Sequence, residues 1–124
     1  MFASRVITVL LCLMLSGPVA AQATAVRTIY MWSFDYSPKP IHLAAGRPVT
    51  LTFVNRSGGG HDFTAKAFFA TARITAGAAP GGKIELGPRQ TRSITLVPRA
   101  GTYKVHCGHF LHRQFGMENV IVVN

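Results

Sequence analysis

Cys107, His112 and Met117 follow one another at five-residue intervals near the C-terminal end of the chain, within His106-Cys-Gly-His-Phe-Leu-His112-Arg-Gln-Phe-Gly-Met117. The runs on either side, residues 102–107 and 119–124, have strand composition, with Val, Ile, Thr and Tyr prominent. A short loop between two strands confines three different donor groups to one end of a sheet. Those donors are a thiol that binds metal as thiolate, an imidazole and a thioether. Together they limit both the fold and the chemistry the chain can support.

Soft sulfur ligands combined with imidazole suit copper, and a trigonal His₂Cys set with a long axial Met is the blue-copper arrangement. The loop supplies one imidazole of this set in His112, so a second has to come from elsewhere. His61 is the candidate, placed after the alternating run 49–55 and the triple glycine 58–60. Glycine there lets the backbone pass close to a site. A lone Cys or Met is ordinarily packing material, but four suitable side chains in strand and loop context make a stronger pattern. Zinc also accepts Cys and His, although a thioether as fourth ligand disfavours it. His109 lies two residues from Cys107, His106 should point to the opposite face of the pleat, and His42 reads as a surface residue.

Gly101-Thr-Tyr-Lys-Val-His-Cys107, Gly116-Met117 and Asn119-Val-Ile-Val-Val resemble the C-terminal half of cupredoxins, the plastocyanin- and azurin-like blue copper proteins. Val49-Thr-Leu-Thr-Phe-Val-Asn55 followed by His61-Asp-Phe63 resembles the strand and first histidine ligand of the same family. The Cys-x4-His-x4-Met loop is longer than in plastocyanin and is similar to the loops of rusticyanin and of the copper domain in multicopper oxidases. The resemblance covers nearly all of the chain after the first two dozen residues. It implies an all-β, cupredoxin-like Greek-key β-sandwich of six to eight strands, one type 1 copper ion and electron transfer. The ligand roles it carries over fall on His61, Cys107, His112 and Met117. Asp62 departs from the Asn that the best-known members place after the first histidine, a change beside the hydrogen bonding of the cysteine.

Residues 1–21 read as a secretory signal, with Arg5 as the charged start, 6–15 as the apolar stretch and Val19-Ala-Ala21 as the cleavage site. Ten apolar residues fall short of the ~20 that span a bilayer, so no transmembrane segment is expected in the mature chain. Residues 22–124 then form a single domain, exported or periplasmic, and expected to be monomeric. Cys12 leaves with the signal, and Cys107 remains as the sole thiol, so no internal disulfide is possible. Ligation to a metal would account for a single thiol in an exported protein.

Without Arg5 the whole-chain charge of +9 becomes +8. The basic residues are dispersed, with no run that suggests a nucleic-acid arm. This excess favours an acidic redox partner or an anionic surface. Phe110, Leu111 and Phe115 flank His112, and they would form either an apolar docking patch or part of the core. Tyr30, Trp32, Phe34 and Tyr36 alternate along 27–36 and are expected on one face of a strand, as sandwich core. Further strands are expected at 27–33, 41–43, 49–55, 83–86, 93–97, 102–107 and 119–124, while 63–72 suits either strand or short helix. Four acidic residues, with no Ser-His-Asp array, paired carboxylates or phosphate loop, point away from an enzyme. Electron carriage is the leading expectation, and a periplasmic copper-homeostasis, delivery or resistance protein is the alternative.

Overall fold

The computed structural model describes residues 13–18 and 23–124. Most of the predicted signal lies outside the described residues, and its cleavage site at 19–21 lies wholly outside them. Among the described residues no helix is long and apolar enough to cross a membrane. The strands are β1 (Ala25–Trp32), β2 (Asp35–Ser37), β3 (Ile41–Leu43), β4 (Val49–Asn55), β5 (His61–Thr64), β6 (Arg73–Ala76), β7 (Lys83–Leu86), β8 (Thr91–Val97), β9 (Gly101–His106) and β10 (Glu118–Val123). They form two five-stranded sheets, in the orders β2-β1-β4-β8-β6 and β3-β10-β9-β5-β7. The β1–β4 and β3–β10 pairs are parallel and the others antiparallel.

Ten strands exceed the six to eight expected. The additional ones include β2, β5 and β6, of three or four residues each. Unlike β3 and β7, each of which alternates around two buried residues, β2 and β6 bury one residue or none and carry no alternation to read.

The core follows the pleat. In β4, Val49, Leu51 and Phe53 are buried while the residues between them are half-buried, as period-2 alternation requires. Ile29 and Met31 of β1 and Ile94 and Leu96 of β8 complete the inner face of that sheet. Phe63, Ile84, Leu86, Val105, Ile121 and Val123 complete the other. The Phe53 and Phe63 rings meet at 4.9 Å between centroids, and burying each such side chain is worth about 1.5–3 kcal/mol.

The aromatic stripe does not pack as expected. Ile29 and Met31 take the inward positions of β1, so Tyr30 is half-buried and Trp32 is exposed. Arg56 covers the Tyr30 ring at 3.9 Å. Phe34 lies in the turn between β1 and β2 with φ 63, which ends the extended run, and only Tyr36 reaches the core.

Segment 63–72 divides. Its first residues extend β5 beside β7, and Lys66–Thr71 then forms the short helix α1, which buries Phe68 and Phe69.

Candidate metal centre

Two parts of one sheet converge at the end of the sandwich. β5 begins at His61, and β9 ends one residue before Cys107. These strands are antiparallel neighbours, with Thr64 opposite His106, so the start of β5 and the end of β9 lie at the same end of the sheet. His61 and Cys107 are both buried. The β9–β10 loop then brings His112 over them.

His61 Nδ1 and His112 Nδ1 are 3.1 Å apart, and Cys107 Sγ is 3.4 Å from His112 Nδ1. The donor atoms of all three residues lie within 4.8 Å of one another. The loop is closed by its own backbone, with Cys107 N–H donating to Met117 O (3.1 Å) and Met117 N–H to His112 O (3.0 Å). These bonds set Met117, fully buried, beside Cys107. Gly116, at φ 91, makes the turn into it, a left-handed conformation that favours glycine. All four residues singled out by the sequence therefore gather at one end of the sandwich.

Asp62 clamps the two halves of the site. Its backbone N–H donates to Cys107 Sγ at 3.4 Å. Its Oδ1 accepts both the Gly108 N–H (2.9 Å) and the Thr64 hydroxyl (2.6 Å), and its carbonyl accepts the Tyr36 hydroxyl (2.5 Å). The hydrogen bond to sulfur comes from the backbone, so the departure from Asn does not remove it. Only Oδ1 accepts from Thr64 of the same strand and from Gly108 of the ligand loop, and a carboxamide oxygen would serve equally there. Oδ2 is what the carboxylate adds, and it lies 3.8 Å from His109 Nε2.

His109 stands at the margin of this cluster. Its ring stacks on His112 at 5.3 Å and 20°, and its Nε2–H donates to Glu85 Oε1 at 2.5 Å. Gly60 makes room for it, since a Cβ there would meet His109 Cε1 at 3.1 Å and the Leu86 carbonyl at 3.7 Å. Asp62, Cys107 and His109 make a second trio with donor atoms within 4.8 Å, sharing Cys107 with the first. Sequence reasoning missed Glu85 and Tyr36 as supports, because only the folded arrangement brings them in, and it missed Thr64, which lies two residues from Asp62 on the same strand.

Burial pushes both His61 and His112 below the ordinary imidazole range, with the neighbouring histidines adding to the effect. They are thus neutral near pH 7, as metal ligation requires. Burial also pushes the Cys107 thiol up, against the pull of backbone N–H groups. A cation among these donors would reverse that shift and release the thiol proton. His61 Nε2 is buried without a partner, which leaves Nδ1 as the nitrogen engaged at the cluster. A thiolate, two neutral imidazoles and a thioether fit copper.

Around His112 the surface is apolar. Phe34 meets the His112 ring edge-on at 5.2 Å and packs on Phe115 at 5.1 Å. Phe110, Leu111 and Phe115 are exposed, so the loop turns these side chains to solvent and not into the core.

The profile of the cupredoxin-like domain family matches residues 5–123. No curated protein matches in sequence. Among solved structures, dithionite-reduced auracyanin from the photosynthetic bacterium Roseiflexus castenholzii is 21% identical, with TM-score 0.60, over 84% of this chain and 99% of that one. Auracyanin B is 18% identical, with TM-score 0.60, over 88% and 95%. The multicopper oxidase of Campylobacter jejuni, a metallo-oxidase, is 12% identical, with TM-score 0.63, and aligns with 85% of this chain but 31% of its own length. These likenesses concern the fold. With the family profile spanning nearly the whole sequence, the chain belongs to the cupredoxin-like domain family.

Proposed function

We propose that this chain is an exported type 1 copper protein that carries single electrons between protein partners, acting as a monomer and not as an enzyme. His61, Cys107, His112 and Met117 would hold one copper ion. The observation that carries this reading is the convergence of two imidazole Nδ1 atoms and one Sγ, 3.1 and 3.4 Å from one another through His112, in a buried pocket. Copper, when bound, supplies the one-electron couple.

The residues of the chain supply the frame. β5 holds His61, β9 holds Cys107, and Asp62 ties them together, so the ligand set changes little between oxidation states. Half-buried His112, ringed by Phe110, Leu111 and Phe115, offers the path to a partner. The basic surface favours one that is acidic. That the Roseiflexus auracyanin was crystallised in a reduced state supports redox cycling on this fold.

Purified mature protein loaded with copper(II) should absorb intensely in the visible and cycle between oxidation states without losing metal. A colourless protein that takes up no copper would end this reading, and ready surrender of copper(I) to an acceptor would favour homeostasis instead. Stopped-flow oxidation by acidic partners should slow steeply as salt rises, because the Debye length shrinks to about 8 Å at physiological ionic strength. Met117→Leu should retain copper and raise the reduction potential, since loss of the thioether removes a donor that stabilises copper(II). Potentiometry and metal analysis of that variant check both halves of the expectation.

A further inference from the structure

On the outer face of the sheet that carries the metal centre lies a cleft of about 590 Å³. Its floor comes from outward positions of β9 and β10, where Lys104 is paired with Val120 and His106 with Glu118. Lys39 and Pro40, just before β3, form one wall, and Arg113 and Gly116 of the β9–β10 loop form the other. The volume falls in the ~300–1,000 Å³ range of small-molecule sites.

The charge is strongly one-sided. Lys39, Lys104 and Arg113 face a single carboxylate, Glu118. Glu118 Oε1 accepts the Arg113 Nε–H at 2.9 Å, which orients the guanidinium and involves only Nε. Lys39 lies 3.7 Å from Asp35 with both side chains about half-exposed, a contact worth at most ~1 kcal/mol. Lys104 makes no salt bridge among the described residues. Clefts lined by one sign of charge focus the field and concentrate counter-ions. A planar guanidinium beside lysines suits carboxylate and phosphate oxygens, while Pro40 and Val120 offer a small apolar surface.

We infer that this cleft binds a small molecule carrying two or more negative charges, either a di- or tricarboxylate or a phosphate compound. The site uses none of the proposed copper ligands, so its failure and that of the copper reading are separable.

The test is calorimetric titration of the full exported protein with citrate and with inorganic phosphate, at constant ionic strength set with sodium chloride. Saturable one-to-one binding of either is expected, and which of the two binds more tightly assigns the class. The double variant Lys39→Gln/Lys104→Gln, checked for folding by circular dichroism, should bind at least tenfold more weakly. Lys66→Gln, away from the cleft, should bind as the parent does. Absence of saturable binding by both anions would overturn the inference. Equal loss in Lys66→Gln, or unchanged affinity in the double variant, would do the same. Binding of a poly-glutamate peptide in place of both small anions would overturn it in favour of a protein docking surface.

Discussion

His112→Ala is expected to cost the protein essentially all of its visible copper absorption, and His109→Ala almost none. Both rings lie near Cys107, and the structure offers two trios around that sulfur. They differ in what their nitrogens already do. His112 turns Nδ1 towards both His61 Nδ1 and Cys107 Sγ, so it would join them in holding copper. His109 commits Nε2 to Glu85. It acts by stacking on His112, and its removal should leave the band in place with at most a small shift. Absorption spectra and copper content of the two variants decide the matter. The opposite pattern would assign the metal to Asp62, Cys107 and His109.

The second large effect is expected at Asp62, where two substitutions should separate structure from charge. Asp62→Ala strands the Gly108 N–H and the Thr64 hydroxyl, both of which donate to Oδ1. The Thr64 hydroxyl is buried and costs about 1–3 kcal/mol when orphaned, while the part-buried Gly108 N–H costs less, so the melting temperature should fall by about 5 °C or more. Copper affinity should fall with it, because β5 and the ligand loop lose their tie. Asp62→Asn keeps a carbonyl-type oxygen for both donors, so its melting temperature should stay close to that of the parent. What it loses is negative charge beside the thiolate. That charge favours copper(II), and the reduction potential should therefore rise. Thermal unfolding and potentiometry on the pair test both claims. A large drop in melting temperature for Asp62→Asn would mean that Oδ2 carries structural weight as well.

The sequence made the central strands and the metal centre legible for different reasons. β4 could be read because its Val-Thr-Leu-Thr-Phe-Val-Asn alternation leaves one inward face. The ligand loop could be read because thiol, imidazole and thioether rarely share so short a segment without a common task. β1 misled, since Tyr30 and Trp32 are larger than Ile29 and Met31 and were given the inward face. The register with β4, which pairs Ile29 with Phe53 and Met31 with Asn55, reverses that choice, and amphipathic Tyr and Trp tolerate the outer face. The edge strands β2 and β6 depend on their partners more than on their own composition. The same limit hid Glu85, whose role exists only once β7 lies beside β5. Phe34 was hidden by its turn, because nothing local ties that position to a histidine in a distant loop.

The few carboxylates of this molecule are all engaged. Asp35, Glu85 and Glu118 each have a cationic neighbour or a histidine within salt-bridge reach, and Asp62 is buried at the metal centre. Across the neutral and mildly alkaline range few other groups are available to change charge. Over that interval the protein behaves as a carrier of nearly constant positive charge. A shift in the acidity of its surroundings leaves its long-range attraction to other molecules almost untouched, whereas a change in dissolved salt alters it at once. Ionic strength, not proton concentration, then sets how strongly its charge draws in other molecules.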